Sequence, residues 1–77
     1  MKELVEYIAK ALVEESDAVV VRDGDEDEDG RRVIELQVAA DDRGKVIGKK
    51  GRMAHTIRTL LAAASPEGTP TTLEIVD

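Results

Sequence analysis

The short run Gly48-Lys49-Lys50-Gly51 constrains this chain more than any other stretch. The sequence is patterned as helix on both sides of it, yet one helix cannot pass through. A glycine in a helix interior costs about 1 kcal/mol relative to alanine, so a pair this close marks a break. Upstream, Asp41 and Asp42 are N-cap residues for a short helical turn through Arg43 to Ile47. Downstream, Met53, Ile57, Leu60, Leu61 and Ala64 recur at helical spacing, with Ala54 at the edge of the stripe. This predicts a second helix from about Arg52 to Ala64. Ser65-Pro66 ends it, because proline lacks the donor and disfavours helix at the residue before it.

The rest of the chain supplies what two such helices can pack against. Residues 2–15 read as an amphipathic helix with Leu4, Ile8 and Leu12 as its spine and Val5 and Ala11 widening the stripe. Tyr7, the one aromatic residue, is expected to pack at the core edge rather than serve as a base-stacking platform, which needs an array. Glu14, Glu15 and Asp17 oppose the helix dipole and predict fraying at that end. A β-branched strand spans Ala18–Arg22, and the clearest strand runs from Arg32 to Ala39, where Ile34, Leu36 and Val38 alternate with Glu35 and Gln37. Residues 67–70 are expected to be loop, and Leu73 and Ile75 alternate in a last strand over Thr71–Val76. The order α-β-β-α-α-β predicts one α+β domain over residues 1–77. It is a two-layer sandwich of a three-stranded mixed sheet with three helices on one face: an antiparallel hairpin, then a right-handed crossover to a parallel strand.

Between the first two strands lies Asp23-Gly24-Asp25-Glu26-Asp27-Glu28-Asp29-Gly30. Its alternate carboxylates suggest a calcium loop, but Ile34 stands where the distal glutamate belongs and the flanking helices are missing. It is read as a mobile, self-repelling hairpin loop over 23–30. There is no cysteine and a single histidine, His55, read as a solvated surface residue, so thiolate metal sites are excluded. No nucleophile–base pair is apparent, and neither enzymatic activity nor a cofactor or metal is expected. No apolar run approaches a membrane span and the N-terminus is not that of a signal peptide, so no membrane partner and a cytoplasmic location are expected.

Charge then singles out the glycine segment again. The chain carries eleven Lys/Arg and seventeen Asp/Glu, and six of those bases (Arg43, Lys45, Lys49, Lys50, Arg52 and Arg58) fall in a stretch containing no acid. Three readings compete. A nucleotide P-loop fails: three residues, not four, separate Gly44 from Gly48, and Lys50 stands where Ser/Thr is required. A plain inter-helix turn with solvating lysines is the bland reading. The third is a clamp for a single-stranded nucleic-acid backbone, in which glycines permit close approach and the next helix offers its N-terminal amides to a phosphate.

Context favours the clamp. Val46-Ile47-Gly48-Lys49-Lys50-Gly51, after a strand and between helices, resembles the signature of the KH domain, whose GxxG loop clamps about four nucleotides. The element order resembles the type II arrangement. With Ile34-Glu35-Leu36, Gly44 to Arg52, Ile57-Arg58-Thr59-Leu60-Leu61 and Leu73-Glu74-Ile75-Val76, nearly the whole chain resembles the small bacterial KhpA (YlqC) RNA-binding proteins. The acidic run departs from that pattern. The resemblance implies that Gly48, Lys49, Lys50 and Gly51 hold the RNA backbone in the loop over 48–51. It also implies that Ile47, Ala54 and Ile57 offer apolar groove surface, with plain core an equal reading for Ile57. Arg43, Lys45, Arg52 and Arg58 add phosphate contacts, although Arg58 is equally read as a solvated helix residue. It implies self-association as a homodimer, a heteromer with a KhpB/Jag-like RNA-binding protein, and a role as an RNA chaperone or post-transcriptional regulator linked to cell elongation and division. With no stacking aromatics, affinity and base preference should be weak. The alternative is an interaction subunit that scaffolds a partner protein and contacts RNA little.

Overall fold

The computed structural model describes residues 2–65 and 70–76. Its centre is set by the alternation in β2 (Arg32–Gln37), where Ile34 and Leu36 are buried and their neighbours are not. β2 is the middle strand of three. β1 (Val20–Glu26) pairs with it antiparallel and β3 (Thr71–Val76) pairs with it parallel, Leu36 lying between Val21 and Ile75. The helices α1 (Lys2–Leu12), α2 (Arg43–Ile47) and α3 (Arg52–Ala64) cover one face of the sheet. This is the two-layer α+β, α-β-β-α-α-β arrangement predicted from the sequence, with the order of a type II KH fold. Val5, Ala9, Ile34, Leu36, Val38, Val46, Ile57, Leu61 and Leu73 form one aliphatic core.

Several local expectations change. α1 ends at Leu12, not at residue 15, and its buried line is Val5–Ala9, with Leu4, Ile8 and Leu12 half-buried and Ala11 exposed. Tyr7 is not at the core edge: it is 74 % exposed, because residues two apart on a helix point about 200° apart and Val5 and Ala9 take the inward side. In α3 the buried residues are Ala54, Ile57 and Leu61, whereas Leu60 and Ala64 are exposed. Periodicity defines a stripe roughly 100° wide, and the packing of α3 against β3 and α2 rotates its centre toward Ala54. Ser65 leaves the helix with extended ψ and its hydroxyl donates to the Leu61 carbonyl at 2.6 Å. The loop expected over 67–70 lies, apart from Pro70, outside the described residues.

The acidic run is only half loop. β1 continues through Glu26, which pairs with Arg32 beyond an irregularity after Asp23. The remaining turn is organised by Asp27, whose carboxylate accepts from the Asp29 and Arg31 amides at 3.0 and 2.9 Å, while Gly30 adopts φ +78°. This hairpin tip lies at the start of β2. The Gly48–Gly51 turn follows the opposite end of the strand, so the most acidic and most basic parts of the chain are held apart.

Candidate nucleic-acid interface

At Gly48–Gly51 the chain reverses through backbone geometry that few residues accept. Gly48 sits at φ 76°, ψ 171°, Lys50 at φ 57°, ψ 27° and Gly51 at φ 75°, ψ 12°. The two glycines occupy these regions for different reasons. A Cβ on Gly48 would stand 2.6 Å from the Met53 Cβ and 2.7 Å from the Met53 amide nitrogen, so the fold itself requires glycine there. A Cβ on Gly51 meets nothing within 4 Å, so that side of the turn is open to an approaching molecule. Lys50 is the single described non-glycine residue at positive φ. A glycine there would relieve a strain of about 1 kcal/mol, so the chain keeps a lysine side chain where the backbone prefers none.

The turn feeds directly into α3. Gly51 is its N-cap and makes no side-chain capping bond, which leaves the first amides of α3 without a side-chain cap. Lys49, Lys50 and Arg52 are exposed around this helix start. Among the described residues none of the three forms an ion pair. Ile47, the last residue of α2, is 38 % exposed beside the turn. Unpaired donors, a helix N-terminus and an apolar shelf therefore converge on one edge, an arrangement suited to a phosphate with an attached flat apolar group.

The other predicted site residues are placed differently. Ile57 and Ala54, 1 % and 4 % exposed, lie in the interior, which leaves little of either side chain as groove surface. Arg58 donates from Nε to the Leu73 carbonyl at 3.1 Å, tying α3 to the edge strand β3. Arg43 is half-buried and engaged within the fold. Lys45 Nζ lies 3.0 Å from Glu14 and 3.7 Å from Asp42. Its hydrogen bond with Glu14, chiefly, holds its pKa above the ordinary lysine value. The basic segment thus divides in two: Arg43, Lys45 and Arg58 brace the fold, and Lys49, Lys50 and Arg52 face outward.

One residue of this region was missed by the sequence reading. Asp42 was expected to cap α2, but it makes no such bond. Its two carboxylate oxygens instead accept from the Glu14 and Glu15 amides, at 3.3 and 3.0 Å, across the chain that leaves α1. The bond from Glu15 is the main reason its pKa lies below the ordinary aspartate range. Asp42 is 3 % exposed and links the end of α1 to the helix that carries the turn. A sequence offers no local sign of such a partner, 27 and 28 residues away.

The family described as "KhpA/KhpB, KH domain" matches residues 2–75. The chain is 54 % identical over 67 residues to "RNA-binding protein KhpA" of Caldanaerobacter subterraneus subsp. tengcongensis, covering 84 % of each chain. It is 48 % identical over 79 residues to the protein of the same description from Halalkalibacterium halodurans, covering both chains completely. The Treponema pallidum relative is 46 % identical over 77 residues, which covers 99 % of this chain and 94 % of that one. No solved structure matches the chain significantly.

Proposed function

This chain belongs to the KhpA/KhpB KH-domain family, and from that membership we propose that it binds RNA, holding a single strand against the Gly48–Gly51 turn. The observation that carries the reading is the turn itself. It joins the start of α3, which has no side-chain cap, to three outward bases that form no ion pair among the described residues, with Gly51 leaving the backbone approachable. Phosphate oxygens would accept from the α3 amides and from Lys49, Lys50 and Arg52. Ile47 would meet a base face. Arg43, Lys45, Arg58, Ala54 and Ile57 would act indirectly, by fixing the turn. With no stacking aromatic beside the turn, most of the affinity is electrostatic and sequence preference is weak.

The test is a titration with a pool of short unstructured oligoribonucleotides at several salt concentrations. Wild type should bind with a clear salt dependence. Lys49→Asp/Lys50→Asp should weaken binding at least about tenfold and reduce the log–log salt slope by roughly 1.4, the value for two lost contacts to a single strand. Equal binding by a folded variant, verified by circular dichroism, removes the turn from the site. Homodimerisation belongs to the same proposal, since two weak clamps on one strand gain avidity without new contacts. Sedimentation at micromolar concentration should show a dimer, and a strictly monomeric species refutes it.

A second reading rests on charge. The net charge is −6, and half of the basic segment is engaged within the fold, which suits a subunit that scaffolds a KhpB/Jag-like RNA-binding partner while touching RNA little. Absence of RNA binding by the wild-type chain alone would favour it.

A further inference from the structure

The acidic hairpin has no part in the RNA site. Asp25, Glu26 and Glu28 are exposed at its tip, and among the described residues none of the three forms an ion pair. The other acids there are engaged: Asp23 lies 3.5 Å from Lys2, Asp29 lies 3.9 Å from Arg31, and Asp27 accepts from the turn amides. Strand pairing through Glu26 and the turn at Asp27 keep the tip in order. Lys49, Lys50 and Arg52, equally exposed and likewise outside any ion pair among the described residues, match these three acids in number.

The two groups cannot meet within one chain. α3 starts at the basic turn, and its 13 residues rise about 20 Å back toward the start of β3, which pairs with the start of β2 beside the hairpin. That distance is more than twice the screening length of about 8 Å at physiological salt. A contact between them joins two copies, head to tail.

We propose that the Gly48–Gly51 turn of one copy takes the acidic hairpin of a second copy when no RNA is bound, so that RNA binds by displacing it. The hairpin offers what the turn takes from RNA: anionic oxygens along an extended backbone, for Lys49, Lys50, Arg52 and the start of α3. The net charge of −6 opposes close approach of two copies in any orientation that does not bring these opposite patches together. The contact uses different surfaces on the two copies, so it is separate from a two-fold homodimer. The competition with RNA rests on the reading above and adds a regulator to that site.

Complementary variants test it. Asp25→Asn/Glu26→Gln/Glu28→Gln keeps the turn and loses the hairpin charge, whereas Lys49→Asp/Lys50→Asp keeps the hairpin and loses the turn. All five side chains are exposed, and circular dichroism verifies that both variants fold. Neither can make the contact with itself, but a mixture can, the first supplying the turn and the second the hairpin. Fluorescence anisotropy of the labelled hairpin variant should show the turn variant binding it about tenfold more tightly than the unlabelled hairpin variant does. Net charge alone predicts the reverse order, because the hairpin variant is less negative than wild type and the turn variant more so. Lys49→Gln/Lys50→Gln, which removes the charge without reversing it, should behave as the turn variant does. The oligoribonucleotide pool should then dissociate the mixed pair. Equal or weaker binding in the mixture overturns the proposal. A mixed pair left intact by RNA that the hairpin variant binds overturns it too, because the two ligands would not share a site. A mixed pair that forms although wild type binds no RNA removes the RNA-binding reading and supports docking of the hairpin in the turn.

Discussion

Gly48→Ala should destabilise the protein by about 3 kcal/mol or more, combining strain in a backbone region open essentially to glycine alone with an overpacked contact. The added methyl would lie 2.6 Å from the Met53 Cβ and 2.7 Å from its amide nitrogen, and backbone cannot swing aside as a side-chain tip can. In a domain of this size the loss should lower the melting temperature by about 15 °C. Gly51→Ala is the matched comparison. Gly51 also has positive φ, but nothing stands within 4 Å of its missing Cβ. Only the left-handed backbone is then penalised, at about 1 kcal/mol, or roughly 5 °C. Thermal melts of the two variants check this. Equal losses would show that the Met53 contact relaxes and that Gly48 serves the turn only through its dihedral angles.

Asp42→Asn should lower the melting temperature by about ten degrees, although it changes one atom. Both Asp42 oxygens are in use, one accepting from the Glu14 amide and the other from the Glu15 amide. Asparagine can present one oxygen, and its NH2 group then faces a part-buried N–H, donor against donor. The variant also withdraws a negative charge from Lys45, 3.7 Å away. The pH dependence identifies the cause. Asp42 has a lowered pKa in the folded chain, so the unfolded state binds its proton more readily. Its contribution is complete above the unfolded-state pKa of about 3.9 and is lost as pH falls through the lower folded-state value. Wild type should therefore lose stability on acidification across that window more steeply than Asp42→Asn. Parallel curves in urea denaturation would assign the loss to packing.

The two effects differ in how visible their causes are in the chain. Glycine spacing, the alternation of Ile34, Leu36 and Val38 and the helical recurrence of Ile57 and Leu61 are local, and they carried the element order, the mixed sheet and the position of the turn. The extent of the hairpin was less legible. Residues 23–26 read as repelling acids, but strand pairing with β2 holds them in order, and backbone bonds to Asp27 organise the turn that follows.

The candidate site was legible as a segment but not as a set of side chains. Six bases with no intervening acid read as one cluster. Their separation depends on what folds against them: Glu14, just after α1, meets Lys45, and the Leu73 carbonyl of β3 meets Arg58. Tyr7 and Leu60 show the same limit, since helical period sets the width of an apolar stripe and neighbouring elements choose its centre. By itself the sequence determined the fold, the turn and the sign of its charge, because propensity, periodicity and glycine chemistry act over a few residues. Only the tertiary structure decided that Lys49, Lys50 and Arg52 face outward, that Gly48 is required by Met53, and that Asp42 joins two helices. Contacts between residues distant along the chain are fixed by how its layers pack, and no local pattern records them.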